Sequence, residues 1–126
     1  MSFELRSTTR TSVPSLPFKK ITDDIMGASY ALSLVFVGDT RSKKLNTLYR
    51  NKTYIPNVLS FPLSDTEGEV YINPRQARRE AQKFGMTEKG FIGYLFIHAL
   101  LHLKGYAHGD TMEEVEARYT KRYHLS

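Results

Sequence analysis

The chain has 126 residues and no cysteine. That length fits one domain, residues 1–126, whose core is large enough for stability without disulfide or metal cross-links. The lack of cysteine excludes disulfides and leaves only nitrogen and oxygen atoms to hold a metal. The formal charge of +5 favours a polyanionic partner. Because no segment has the apolar core of a signal peptide or the length of a membrane span, we expect a cytoplasmic protein with no membrane partner.

Strands and helices alternate along the first part of the chain. Short apolar runs of strand length are separated by segments with helical spacing of their apolar residues. Thr40 is a predicted helix N-cap, and Pro62 is predicted to end a strand. The predicted strands cover residues 3–7, 30–37 and 57–61, and the predicted helices cover residues 14–26 and 41–49.

The second part of the chain predicts one more strand, residues 69–72, followed by three helices at 74–84, 88–104 and 111–123. Asn73 and Gly85 bound the first of these helices, and Thr87 caps the second. The helix at 88–104 has apolar residues on most of its sides, which predicts a central, buried helix. The pattern is compatible with α/β or α+β order. We take it as α+β, a small mixed sheet covered by helices.

Three histidines lie at the end of this long predicted helix. His98 and His102 are four residues apart, so both imidazoles project from one helix face about one turn apart. Gly105 tolerates the left-handed conformation that ends helices, and the chain can then fold back and deliver His108. Three protein ligands leave a coordination position open, as in catalytic zinc sites. The spacing therefore predicts one Zn²⁺ per chain, held by His98, His102 and His108.

A simpler interpretation is that these histidines are satisfied core residues. A single histidine on an apolar helix usually is, and pairs at this spacing arise by chance. Three of the four histidines fall within eleven residues, however, and the fourth, His124, is expected to be exposed. The motif therefore favours a metal site, although imidazole ligands suit zinc, nickel, copper and iron alike.

Several segments resemble the YbeY family of bacterial zinc-dependent endoribonucleases. HALLHLKGYAH, residues 98–108, is similar to the family signature HGxLHLxGYDH, and LNTLYRNKTYIPNVLSFPL, residues 45–63, is similar to LNxxYRxxxxxTDVLSFP. GEVYIN at 68–73 resembles the family's GDIxI strand, and MEEVE at 112–116 resembles its MExxE stretch. These pieces occur in the family's order and cover most of residues 45–116.

The resemblance implies a zincin-like fold with a central metal-bearing helix and cleavage specific for single-stranded RNA. The implied role is ribosomal RNA maturation, at the 3′ end of the small-subunit RNA, and ribosome quality control. The implied partners are single-stranded or ribosomal RNA and the small ribosomal subunit with its proteins. The resemblance carries the metal role onto His98, His102 and His108, and a catalytic role onto Arg50.

The chain departs from the family pattern at three places. Ala99 replaces a glycine, Ala107 replaces an aspartate, and Pro56 with Asn57 replace Thr-Asp. Carboxylates commonly orient metal-bound imidazoles, so the alanine at 107 bears on full activity. Ala99 also separates the chain from metzincin proteases, whose HExxHxxGxxH motif places a general-base glutamate at that position.

Arg50, Ser60, Arg75 and Arg79 are the predicted substrate-binding residues. Arg50 is expected to stabilise the charge that develops on the phosphate. By spacing alone, Arg50 is more simply an exposed arginine at a helix end, and Ser60 equally well fills a polar gap. Basic residues on two helices would track an RNA backbone if they flank the metal, although charged helix faces are usually just solvated. They are Arg41, Lys43, Lys44, Arg50 and Lys52 around one helix, and Arg75, Arg78, Arg79 and Lys83 on the other.

Two functions remain open at this point. The first is a metal-dependent endoribonuclease. The second is a ribosome-associated assembly factor whose zinc is mainly structural, which Ala99 and Ala107 favour. A different hydrolase that uses the same ion ranks third.

Overall fold

The described part of the chain contains a four-stranded sheet and five helices. The structure, a computed structural model, describes residues 3–107 and 109–125. A 3₁₀ turn, Gln82–Phe84, extends the third helix to Gly85, as the sequence predicts. In chain order the elements are β1 (Phe3–Ser7), α1 (Phe18–Met26), β2 (Ala31–Phe36), α2 (Asp39–Arg50), β3 (Val58–Ser64), β4 (Glu67–Ile72), α3 (Pro74–Ala81), α4 (Glu88–Lys104) and α5 (Asp110–Arg122).

The sheet is mixed, which confirms that part of the predicted fold class. Its strand order is β1-β2-β4-β3. β1 and β4 both run parallel to β2, so Leu34 pairs with Leu5 on one side and with Val70 on the other. β3 runs antiparallel to β4, with Ser60 opposite Val70. β3 is therefore an edge strand, with β4 on one side only.

The prediction that Pro62 ends β3 is wrong, because the strand continues to Ser64. The amide of Asn73 donates to the carbonyl of Asn57, 2.9 Å away, which fixes the hydrogen-bonding phase of the β3–β4 pair. In that phase the backbone groups of Leu59 and Phe61 point to β4, whereas those of Ser60 and Pro62 point away from it. A proline at an outward position removes no ladder bond, and this is why the edge strand tolerates it.

Helix α4 is central and buried, as predicted. It packs against β3, β4, α1, α3 and α5. Phe96 lies in its middle and meets Phe18 of α1 edge to face at 5.1 Å. Thr87 caps the helix by accepting a hydrogen bond from the amide of Gly90, 3.0 Å away, and Gly105 ends it in the left-handed conformation. None of the described helices is long and apolar enough to cross a membrane.

Helix α2 covers the opposite face of the sheet through a smaller core. Val35, Val37, Leu59 and Tyr71 form this second cluster. The helix presents mainly polar residues inward: Ser42 is buried and donates to the carbonyl of Pro56, 3.0 Å away. α2 is thus held by hydrogen bonds to the loop that follows it, as well as by apolar contact with the sheet.

Two predicted helix starts are wrong. α1 begins at Phe18 and not at residue 14, because Pro17 disfavours helical geometry at Leu16. α2 begins at Asp39 behind Gly38, so Thr40 lies inside the helix and does not cap it. An acidic residue in the first turn of α2 also complements the helix dipole.

A polar network joins the start of α2 to α3. The Asn73 side chain caps α3 by accepting from the amides of Arg75 and Gln76, each 3.1 Å away, and it donates to Asp39 at 2.9 Å. Arg79 reaches the same carboxylate at 2.7 Å. These contacts, with the hydrogen bond from Arg79 as the largest cause, lower the pKa of Asp39.

This network makes part of the stability depend on pH. Because the folded-state pKa of Asp39 is lowered, its ionised form stabilises the fold above the ordinary pKa of about 4, and this contribution is lost as the pH falls through the folded-state pKa. We expect Asp39→Asn to lower the free energy of unfolding at pH 7 and the difference from wild type to shrink below about pH 4. Urea unfolding at both pH values measures this, and an unchanged difference at acidic pH would contradict it.

Candidate active site

The imidazoles of His98 and His102 converge on one point beside the sheet. Their Nε2 atoms are 3.0 Å apart, and the two rings stand nearly perpendicular, with centroids 4.5 Å apart. Both residues lie on the face of α4 that borders β3, because four residues make about one helical turn. The four-residue spacing therefore produces the convergence that the sequence predicts.

Acceptors behind the two rings set their tautomers. The Nδ1 atom of His98 contacts the Glu116 carboxylate of α5, and the Nδ1 atom of His102 lies 3.2 Å from the carbonyl oxygen of Tyr106. A carboxylate and a carbonyl can only accept, so in each ring the Nδ1 atom carries the proton. In the neutral rings both Nε2 atoms then direct lone pairs into the same space.

This arrangement fits a metal ion. Nitrogen ligands at about 2.0–2.1 Å in tetrahedral geometry lie about 3.3 Å from each other, close to the observed 3.0 Å. Metal-bound histidines usually donate their second N–H to a carboxylate or a backbone carbonyl, and this pair has one of each. The donor set and its outer partners therefore suit zinc or a similar divalent ion.

The third predicted ligand, His108, lies outside the described residues. Within residues 3–107 and 109–125, no group of three or more His, Asp or Glu side chains is placed to hold a metal. Gly105 has a φ of 108° and ends α4 where the prediction requires the chain to turn. The three-ligand site thus remains a prediction, with two of its members in suitable geometry.

Glu116 is a candidate site residue whose contact with His98 sequence reasoning did not predict. It is buried on the inner side of α5, with a side chain only 7% exposed, beside a His98 side chain that is 20% exposed. Burial first, and then the negative charges of Glu116 and Glu113, raises the pKa of Tyr94, so the phenol stays neutral next to His98. The sequence did contain a signal for this residue, because Glu116 lies one turn after Met112, on the apolar face of the helix.

A cleft of about 580 Å³ opens beside the histidine pair. Ala99 lines it, so the position that holds a glutamate in metzincins offers a methyl group here. Glu80 is the one carboxylate among the described lining residues, and it accepts from the side-chain amides of Asn57 at 2.8 Å and Gln76 at 2.6 Å. The lining residues are Arg50, Tyr54, Ile55, Pro56, Asn57, Val58, Leu59, Ser60, Pro62, Glu80, His98, Ala99, His102 and Leu103.

Arg50 reaches this cleft from the end of α2. Its Nη1 atom donates to Oδ1 of Asn46, 3.3 Å away, and the Asn46 amide in turn donates to the carbonyl of Tyr54 at 3.1 Å. The Asn46 side chain is fully buried. Asn46 is therefore the anchor that holds both Arg50 and the loop after α2 in position.

Removing this anchor is expected to impair both stability and substrate binding. Asn46→Ala removes a buried hydrogen-bonding side chain and leaves the part-buried carbonyl of Tyr54 without its donor, which costs about 1–3 kcal/mol in the free energy of unfolding. It also frees Arg50, so we expect a higher KM for the RNA substrate that the sequence predicts. Urea unfolding and cleavage kinetics measure the two effects. A double-mutant cycle with Arg50→Ala provides the control, because additive losses in kcat/KM would contradict a positioning role.

The predicted substrate-binding residues separate into two groups. Arg50 and Ser60 line the cleft, and Ser60 lies on the side of β3 that faces α4. Arg75 and Arg79 are outside the described lining, and Arg79 is paired with Asp39 at 2.7 Å. A role in substrate binding stays a prediction for all four.

The two basic helices also differ. On α3, Arg78 pairs with Glu88 and Arg79 pairs with Asp39. The charge of two of the four basic residues predicted to follow an RNA backbone on this helix is therefore compensated. The basic side chains around α2 form no ion pair with any described residue; they are Arg41, Lys43, Lys44, Arg50 and Lys52. Uncompensated positive charge therefore concentrates on the α2 side.

Three tyrosines near the histidine pair and α2, Tyr49, Tyr54 and Tyr106, have different surroundings. Tyr54 is 53% exposed and lines the cleft. Tyr49 is also exposed but packs edge to face on Phe61, 5.4 Å away. Tyr106 packs against the core, and its carbonyl meets His102. Tyr54 alone of the three borders the cleft among the described residues.

Comparison with known proteins places this α+β fold and its histidine-bearing helix in one class, the bacterial endoribonucleases. The sequence model of the family "Endoribonuclease YbeY" matches residues 4–126. The chain belongs to the endoribonuclease YbeY family.

Individual relatives agree with this assignment. The endoribonuclease YbeY of Mycoplasma capricolum is 33% identical over 124 residues, with 82% of this chain and 76% of the relative covered. The one from Finegoldia magna is 33% identical, with 91% and 77% covered. The one from Mycoplasma mycoides is 38% identical over 94 residues, with 66% and 57% covered. The chain thus spans between 57% and 77% of the length of these three relatives.

A solved structure matches the whole fold. The solution structure of a protein from Thermotoga maritima aligns with a TM-score of 0.70 and 25% identity, over 94% of this chain and 87% of that one. The sheet and helices described above therefore have an experimental counterpart.

Proposed function

We propose that the chain is a metal-dependent endoribonuclease that cleaves single-stranded RNA. Membership in a family of endoribonucleases supports the reaction class. The observation that carries the metal dependence is the pair of Nε2 atoms 3.0 Å apart, each ring oriented by an acceptor at Nδ1. The fold alone does not imply a metal, because one fold can host many chemistries.

The proposed metal centre is zincin-like, with its ligands on the central helix. His98 and His102 of α4 hold one Zn²⁺, and His108 after the Gly105 turn completes the set. When bound, zinc makes an activated water available near neutral pH and acts as a Lewis acid toward the phosphoryl group. Glu116 and the carbonyl of Tyr106 keep both rings in the tautomer that binds a cation.

Arg50 supplies positive charge at the same cleft. Phosphodiester cleavage places extra negative charge on the phosphate oxygens, and a fixed guanidinium stabilises it. The buried Asn46 holds Arg50 in position, and the uncompensated basic residues of α2 extend the positive surface. Such a surface attracts RNA with an affinity that falls steeply with salt.

The biological setting follows the family. We assign the activity to ribosomal RNA maturation, at the 3′ end of the small-subunit RNA, and to ribosome quality control in the cytoplasm. The partners would be the small ribosomal subunit and its proteins. The net charge of +5 supports a polyanionic partner.

Two alanines favour a second candidate, an assembly factor that binds ribosomal particles with a mainly structural zinc. Ala99 lines the cleft and provides no general base, and Ala107 removes a carboxylate beside the third ligand. The buried Glu116 offsets part of this, because it supplies a carboxylate to His98 from α5.

Metal removal tests the proposal. We expect the purified protein to contain about one zinc per chain and to cleave single-stranded RNA. Treatment with a chelator should abolish cleavage, and added Zn²⁺ should restore it, because the histidine pair alone supplies no activated water. Unchanged cleavage by metal-free protein would contradict the proposal. Metal-replete protein that leaves RNA intact but sediments with ribosomal particles would favour the assembly factor.

A further inference from the structure

The outer edge of β3 borders the cleft that contains the histidine pair. β3 pairs with β4 on one side only. In the phase set by the Asn57–Asn73 hydrogen bond, the N–H and C=O groups of Val58 and Ser60 point away from β4. Pro62, the next outward residue, presents only a carbonyl.

These outward groups are available to a ligand. Among the described residues, no side chain or backbone group bonds to the amide or carbonyl of Val58 or Ser60. Val58, Ser60 and Pro62 all line the cleft, together with Arg50 and His98. The edge therefore offers alternating donors and acceptors beside a guanidinium and the proposed metal ligands.

We propose that this edge binds the sugar–phosphate backbone of single-stranded RNA, with the Ser60 amide donating to a phosphate oxygen. The inference rests on the proposed function and adds a backbone amide that binds the substrate. Phosphate oxygens accept from backbone amides, and a ribose 2′-hydroxyl can donate to the outward carbonyls. Because a peptide strand would also match a sheet edge, charge decides the occupant: Arg50 and the uncompensated basic residues of α2 favour a polyanion.

Proline substitution tests the amide itself. Ser60→Pro removes the outward N–H and no ladder bond, as Pro62 already does two residues later. Ser60→Ala removes only the hydroxyl and is the matched comparison. A hydrogen bond to a charged group is worth enough to change affinity about tenfold. We expect the Kd for a labelled single-stranded RNA to be about tenfold higher for Ser60→Pro than for Ser60→Ala. Equal affinities would overturn the proposal.

An amide titration of the wild-type protein keeps the test decisive if Ser60→Pro does not fold. In ¹⁵N NMR spectra, single-stranded RNA should shift the amide signals of Val58 and Ser60 more than those of Leu59 and Phe61, which point to β4. Equal or smaller shifts would overturn the proposal, as would shifts that an extended peptide causes and RNA does not.

The outcomes also separate this inference from the proposed function. Wild-type protein that cleaves RNA without these amide shifts overturns the edge site and leaves the enzyme intact. Protein that shows the shifts but does not cleave supports the edge site and overturns the enzyme.

Discussion

Replacing His102 by alanine is expected to abolish both metal binding and RNA cleavage. The variant removes one of two nitrogens that lie 3.0 Å apart, and it leaves no second imidazole on that face of α4. Loss of outer partners alone typically costs 10–100-fold in metal affinity, so the loss of a ligand should exceed about a hundredfold. The fold should survive, because His102 is only partly buried.

Metal analysis and cleavage of a structured ribosomal RNA precursor, measured on the same preparation, check this result. His124→Ala is the matched control, since this exposed histidine lies beyond the end of α5. A His102→Ala protein with normal metal content, or one that cleaves at the wild-type rate, would refute the proposed metal centre.

Replacing Glu116 by alanine is expected to lower metal affinity about 10–100-fold without removing a ligand. The carboxylate receives the Nδ1–H of His98, so its loss frees the ring to rotate and lowers the basicity of the Nε2 atom. Glu116→Gln keeps an acceptor but loses the charge, so we expect an intermediate affinity.

Zinc titration against a competing chelator measures the three affinities. Glu114→Gln on the exposed side of the same helix is the control, because it removes an equal charge from α5 away from His98. An unchanged zinc affinity in Glu116→Ala would show that the contact between Glu116 and His98 is structural only.

Patterns that depend on a single element could be predicted from the sequence. The bounds of α4, its Thr87 cap, its Gly105 end and the convergence of His98 with His102 all follow from helical geometry and local capping rules. β2 could be predicted for the same reason, because a nearly continuous apolar run predicts a buried strand without knowledge of its neighbours.

Features that depend on contacts between distant segments could not be predicted. The tolerance of Pro62 depends on which side of β3 carries β4, and the role of Glu116 depends on how α5 lies across α4. The burial of Asn46 likewise follows from its bond to Tyr54 in a loop eight residues away. Residue type and spacing along one element carry no information about these packing choices.

Helix α4 is buried on nearly every side, and this bears on whether the protein folds before it binds a metal ion. The two rings extend from an element that apolar packing already fixes, with Phe96 and Leu100 fully enclosed. Folding orders the backbone that carries them, so we expect much of the entropy of arranging the rings to be lost before an ion binds. We therefore expect the metal-free protein to fold, unlike zinc fingers, whose chains become ordered only when the ion binds.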